Sequence, residues 1–347
     1  MFYIAVLAKE LGLSDIEIGT IATLYGLCLL FSNYMFGSLS DILGTRQFLV
    51  SGFLFSSGVF LAHLFAFNYS SLLYIRILTG IALGVYPAAL FSLAFNTNAR
   101  MGRFSSYGAL GSFAGLTSAG FLSTVYGTKS LFVLGSIAFF LAFVVSIGIR
   151  EHRSVSDQNS LHPLKVVMEN LPTYVALLIR HTGANIIWTF WSLYLIALGA
   201  NSFYIGMITA SNALTQFLTM RYLCDKLDSR REFNSGLLMS AALFLALGFA
   251  TSFWQLWPLF ALIGVVWGFV FVGAVRTVVD HSSQRGAAIG LLNSVLNMSS
   301  VLGPVLATVV IVFGDYRTTM YVGAILSFAS YLISRRLNSP SHTSFLP

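Results

Sequence analysis

The sequence predicts an all-α membrane protein made of two related helical halves. Three observations carry this. Mean hydropathy is +0.81, and 56% of residues are hydrophobic while only 9% are charged; a soluble domain carries about 25% charge. The apolar residues run on for about 20 positions at a time, which selects helices over the ten-residue alternation of a barrel. A polar turn also recurs: Gly37-Ser38-Leu39-Ser40-Asp41-Ile42-Leu43-Gly44-Thr45-Arg46 returns as Arg221-Tyr222-Leu223-Cys224-Asp225-Lys226-Leu227-Asp228-Ser229-Arg230. Leu39, Asp41, Leu43 and Arg46 align with Leu223, Asp225, Leu227 and Arg230 at one offset, 225 − 41 = 184. A chain of 347 residues that repeats a turn after half its length reads as a duplicated unit.

Each element follows in order. Met1 to Ala8 is apolar but too short to span, and Lys9-Glu10 ends it, so it reads as the tail of a helix whose beginning is absent. Ser14-Asp15-Ile16-Glu17 is a capping box that opens a helix over 15–38. Gly12 to Gly19 resembles Gly199 to Gly206, a second sign of the repeat. Further spans fall at about 47–67, 72–95, 104–126 and 130–149. Residues 150–171 form a polar linker between a first bundle, 1–149, and a second, 172–336, which Pro172 opens; 337–347 is a tail. The second bundle holds spans at about 173–198, 203–222, 234–253, 256–280, 286–312 and 318–334. The count is five spans plus a remnant, then six.

Alternating sides along these spans separates the cations. Arg46, Arg100, Arg103, Arg150, Arg153, Lys165, Lys226, Arg230, Arg231, Arg285, Arg335 and Arg336 fall on one side, and Lys9, Lys129 and Arg317 on the other. The positive-inside rule then puts the repeated turns, the linker and the C-terminus in the cytoplasm of a multi-pass plasma-membrane protein. The net charge of +7 does not indicate nucleic acid, because these residues are scattered in short loops. Cys28 and Cys224 lack the Cys/His neighbours of a metal site. No phosphate loop, H-E-x-x-H site or acidic metal cluster is present, so neither an enzyme nor a cofactor is expected.

These features together resemble the major facilitator superfamily. Gly37, Leu39, Asp41, Gly44 and Arg46 match that family's loop motif between the second and third helices; Ile42 and Thr45 depart from it, and Arg221 and Asp228 replace the glycines of the second copy. Arg76-Ile77-Leu78-Thr79-Gly80 with Gly84 resembles the family's fourth-helix motif. The resemblance implies a carrier of a small solute working as a monomer in the bilayer, and gating roles for Gly37, Asp41, Gly44, Arg46, Asp225 and Arg230. Asp41 would latch onto a helix N-terminus and nearby arginines. The family's antiport motif is incomplete here, since Gly115 to Gly120 lacks its Pro and one Gly. Drug or metabolite efflux, and a non-transporting sensor on a carrier scaffold, stand as alternatives.

Polar stripes on spanning helices mark candidate pathway residues. His181, Asn185 and Trp188 share one face with Ser192, and Arg180 stands beside them. Asn212 and Gln216 share another face, Asn293 and Asn297 a third, and Arg76 sits in the 72–95 span. An intramembrane Arg costs about 2.5–3.5 kcal/mol on the lenient insertion scale, so Arg76 and Arg180 require a partner or a function. Arginines favour an anionic or zwitterionic solute. Asn and Gln stripes equally serve as interhelical glue. His181 reads either as a ligand or proton site or as a hydrogen-bonded core residue. With no acidic residue deep in these spans, proton coupling through His181, coupling through a group not in the chain, and uniport all remain open. Arg276 and Asp280, four apart, read as a local ion pair or gate. Gly80/Gly84, Gly111/Gly115 and Gly264/Gly268 read as close helix contacts.

Overall fold

A computed structural model describes residues 2–96, 101–149, 163–224, 226, 228–282 and 285–337. Every regular element among them is helical. The first half contains α1 (Phe2–Glu10), α2 (Asp15–Leu43), α3 (Thr45–Ala62), α4 (Tyr69–Val85), α5 (Pro87–Asn96), α6 (Met101–Tyr126) and α7 (Ser130–Ile147). The second contains α8 (Pro163–Ala197), α9 (Ser202–Tyr222), α10 (Ser229–Gly248), α11 (Phe253–His281), α12 (Arg285–Phe313) and α13 (Tyr316–Leu337). Among the described residues, six helical stretches are apolar and long enough to cross a membrane: Asp15–Gly37, Thr45–Phe65, Tyr69–Leu90, Ser130–Ile147, Phe253–His281 and Ala288–Phe313. The remaining long helices are diluted by Gly, Ser and buried polar residues.

Local chemistry accounts for the boundaries. The Ser14 hydroxyl accepts the Glu17 N–H, and the Glu17 carboxylate accepts the Ser14 N–H at 2.8 Å, so the expected capping box starts α2. Asn201 caps α9 the same way, accepting the Tyr204 N–H at 3.1 Å. Gly12 and Gly199 precede these caps with φ of 77° and 92°, a left-handed conformation that glycine adopts without strain. The 72–95 span is interrupted: α4 ends at Val85 and α5 begins at Pro87, because the proline has no N–H to donate to the Leu83 carbonyl, although Tyr86 itself keeps helical geometry. The linker is shorter than expected. Helix α8 already begins at Pro163 and runs through Pro172, so the latter sits inside a helix and opens nothing. Residues 150–162 and the tail from 338 lie outside the described residues.

In the first half α2 packs on α4, and α3 on α4 and α7; in the second, α8 packs on α12 and α13, α11 on α9 and α10, and α10 on α13. The halves meet along α2–α12 and α6–α9, and α1 lies on α8. Lipid supplies no hydrophobic drive for helix association, so close packing must stabilise these seams. Glycines provide it. A Cβ on Gly19 would overlap the Thr308 side chain, and one on Gly26 would stand 2.5 Å from the Ser300 carbonyl oxygen. A Cβ on Gly206 would stand 2.4 Å from the Gly120 Cα. Gly19 and Gly206 occupy the same position of the repeat, seven residues after Gly12 and Gly199, and each makes a seam between the halves. Gly80/Gly84 and Gly264/Gly268 pack as expected, against α2 and α9 respectively. Gly111 and Gly115 do not: nothing lies within 4 Å of a Cβ at either, because they point away from the α9 seam.

Candidate functional site

The face of α12 that joins the halves carries Asn293, Asn297, Ser300, Pro304 and Thr308, spaced by three and four residues. At one end this face is tight, with Thr308 against Gly19 and Ser300 against Gly26. Toward the repeated turns the same face carries Asn297 and Asn293, which are half-buried and take no hydrogen bond among the described residues. Gln216 on α9 is likewise half-buried and unpartnered. A bare amide in hydrocarbon is costly, so Asn293 and Asn297 make this stretch of the α12 face, and Gln216 its place on α9, unsuited to lipid. We call the tight end, with Gly12 and Gly199, the capped end, and the other the motif end.

The two intramembrane arginines are sealed away from this seam. Arg180 is 1% exposed. Its Nε donates to the Ser240 hydroxyl of α10 at 3.0 Å, and its guanidinium carbon lies 5.4 Å from the Phe244 ring centre and 5.3 Å from that of Trp267. One terminal nitrogen is buried without a partner. In this conformation Arg180 does not face the seam: one 100° step from His181 turns it into the bundle, toward α10. His181 is half-buried instead and stacks on Trp267, with ring centres 4.8 Å apart. Its Nδ1 stands 3.5 Å from an Arg180 terminal nitrogen. Arg76 is 5% exposed and covers the Tyr25 ring at 3.9 Å, and its Nε has no partner. Neither arginine is ion-paired to a carboxylate among the described residues.

The other expected pathway residues hold helices together. Asn185 donates to the His181 carbonyl at 3.0 Å and to the Ser299 hydroxyl at 3.2 Å, tying α8 to α12. Asn212 donates to the Phe260 carbonyl of α11 at 2.9 Å. Trp188 sits edge-on to Trp191, Phe244 and Phe260 in the core of the second half. These are the glue and packing readings of those residues.

At the motif end Gly44 turns the chain with φ of 101°, and Gly37 lies against Ala88 of α5. Arg46 donates to the Ile147 carbonyl at the end of α7, 2.9 Å away. The Asp41 side chain and the whole of Asp225 lie outside the described residues. In the second copy Asp228 caps α10, accepting the Arg230 N–H at 3.2 Å. Arg230 donates to His281 Nε2, whose ring is fixed from the other side by Nδ1 at 2.7 Å from the Thr277 carbonyl. The expected Arg276–Asp280 pair is replaced. Arg276 pairs with Glu232 on α10 at 2.8 Å, while Asp280 accepts the Ser229 hydroxyl at 3.3 Å. Glu232 is fully buried and sequence reading missed it, since it precedes the apolar run of its helix.

Two six-helix-like bundles joined by paired seams, with bare amides along one seam, define a helical carrier of the bilayer. The family model of the Major Facilitator Superfamily matches residues 1–171 and 173–346. The chain belongs to that superfamily and is a transporter of small solutes, not an enzyme. It is 24% identical over 320 residues to multidrug resistance protein MdtG of Citrobacter koseri, covering 85% of this chain and 79% of that one. It is 25% identical over 316 residues to the class B tetracycline resistance protein of Escherichia coli, covering 84% and 78%. It is also 25% identical to an uncharacterized MFS-type transporter of Methanocaldococcus jannaschii, covering 94% and 92%. The fold matches the nucleoside transporter NupG with a TM-score of 0.80 at 11% identity, covering 97% of this chain and 94% of that one.

Proposed function

We propose that the chain carries a small anionic or zwitterionic solute across the plasma membrane by rocking of its halves, 1–149 and 172–336. The observation that carries this is the α12 stripe: closed on α2 at one end, bare and half-exposed at Asn297 and Asn293 at the other. The charge preference rests on Arg76 and Arg180. Two cations without carboxylates in a low-dielectric interior make the gap unfavourable for cationic solutes. In this conformation Arg180 acts through its field, and the stacked pair His181–Trp267 is what a solute meets first. His181 is also the group that a coupled proton would occupy. The lysine and arginine asymmetry places the motif end, 150–171 and 337–347 in the cytoplasm, and a monomer suffices because one chain supplies both walls of the gap. At the motif end Arg46, Arg230 and the Arg276–Glu232 pair hold helix ends in place. Asp41 keeps its latch role, and Asp41→Asn abolishes transport without loss of insertion.

A second reading, drug efflux by antiport, is favoured by the names of the relatives, multidrug and tetracycline resistance proteins. Purified protein in vesicles, offered benzoate or tetracycline with and without an imposed pH gradient, separates the two. Benzoate flux that Asn297→Leu abolishes supports the anion reading. Tetracycline flux with no flux of benzoate or other organic anions overturns it in favour of efflux.

A further inference from the structure

Two tyrosine hydroxyls bridge the halves at the capped end, and their two acceptors occupy equivalent places of the repeat. Tyr3 of α1 donates from its hydroxyl to the Ser202 carbonyl at 3.0 Å. Tyr316 of α13 donates to both carboxylate oxygens of Asp15, at 3.0 and 3.2 Å. Asp15 is three residues beyond Gly12 and Ser202 three beyond Gly199; each is the first residue of its helix. Each half therefore offers the same helix start as an acceptor, and each receives a phenol from the other half. Lys9 holds the Asp15 carboxylate from the first-half side at 2.8 Å. Both rings are anchored: Tyr3 is 7% exposed in the core of the second half, and Tyr316 packs on Phe190 with ring centres 5.8 Å apart.

We propose that these two phenols form a paired latch that holds the capped end shut and must release each time the halves rock. The argument is geometric. The glycine seams at Gly19/Thr308 and Gly120/Gly206 lie beside the latch, so the latch closes where the halves approach most tightly. Glycine contacts hold by short-range packing alone and slide at low cost, whereas a hydroxyl aimed at one oxygen selects a single register. The Tyr316 bond is charge-assisted and is the stronger of the two.

The test uses the full chain in lipid, with Cys28→Ala and Cys224→Ala removing the native thiols. Spin labels on Tyr126→Cys and Thr251→Cys report the capped end by pulsed dipolar spectroscopy, and Gln47→Cys with Arg231→Cys report the motif end. Tyr3→Phe and Tyr316→Phe each keep the ring and remove one hydroxyl, so folding survives. We expect the separated capped-end population to rise about fivefold with Tyr3→Phe and about tenfold or more with Tyr316→Phe. The double variant multiplies the two, with the motif-end distance shortening in step. An unchanged capped-end distribution in the double variant overturns the latch. So does a capped-end change with no motif-end response, which would be fraying of helix ends rather than rocking. No solute enters this experiment, so it stands or fails apart from the anion reading.

Discussion

The two ends of the molecule are held by different kinds of contact. At the capped end the polar bonds cross between halves: Tyr3 to Ser202 and Tyr316 to Asp15, beside glycine seams at Gly19 and Gly206. At the motif end the bonds traced stay inside one half. Arg46 reaches Ile147; Arg230 reaches His281, Arg276 reaches Glu232 and Asn170 reaches Ser282. Where bonds cross, the halves are tied; among the described residues, the bonds traced at the motif end brace each half from within. The difference separates the contacts that a rocking of the halves has to break, those of Tyr3 and Tyr316, from contacts that it can leave intact.

The largest test breaks the capped-end seam. Gly206→Leu places a side chain on the Gly120 backbone, which cannot yield as a flexible neighbour could. Overpacking costs about 1–3 kcal/mol, and we expect the halves to part there, seen as a longer Tyr126–Thr251 label distance. A capped end that stays closed would show that the seam is not what joins the halves. Comparable in size is the buried ion pair at the motif end. Removing the cation takes the ion-pair partner from a fully buried Glu232, whereas removing the carboxylate leaves Arg276 able to reach water. Arg276→Leu should therefore cost about 3 kcal/mol and Glu232→Leu clearly less in a denaturation series, with label distances between the halves unchanged by either. Equal losses would mean that Glu232 is not committed to this partner.

A smaller pair of variants separates glue from pathway. Asn185→Ala breaks two bonds and should lower stability by about 1–2 kcal/mol. Asn297→Leu removes no protein bond and should leave stability within about 0.5 kcal/mol while abolishing flux in vesicles. Stability lost in the second variant would place Asn297 in the packing instead. The smallest effect concerns the start of α13, next to the latch. Asp315 accepts the Thr318 N–H at 2.8 Å, and this bond, with the Thr318 hydroxyl and nearby Arg317, holds its carboxyl below the usual range. A depressed carboxylate stabilises above its unfolded pKa, and that contribution fades as pH falls through the folded value. Asp315→Asn should flatten the acid limb of a pH–stability profile, and Asp315→Ala should lower the neutral plateau by about 0.5–2 kcal/mol. Superimposable profiles for wild type and Asn would remove the cap from the account.

Much of this was legible in the chain. Hydropathy and run length predicted helices, and the Ser14 capping box appears as written. The Gly12–Gly19 and Gly199–Gly206 resemblance proved to be a shared loop, cap and seam, because a left-handed glycine and an N-cap are local demands that composition can state. Direction was harder to read. Arg180 and His181 are adjacent in sequence, yet one is sealed among Ser240, Phe244 and Trp267 and the other is half-exposed. Arg276 has Asp280 four residues away and takes Glu232 from another helix. Gly111 and Gly115 have the spacing of a packing pair and pack on nothing within 4 Å.

By itself the sequence determined what is local or additive: which stretches belong in lipid, where a cap such as Ser14 opens a helix, and that the unit is duplicated. Those follow from transfer free energies and backbone geometry summed along the chain. Tertiary structure alone decided where the halves are tied, which amides are left bare and which partner each arginine meets. These are contacts between residues up to 301 positions apart, and they depend on how one helix is rotated against another, a quantity that no single helix carries.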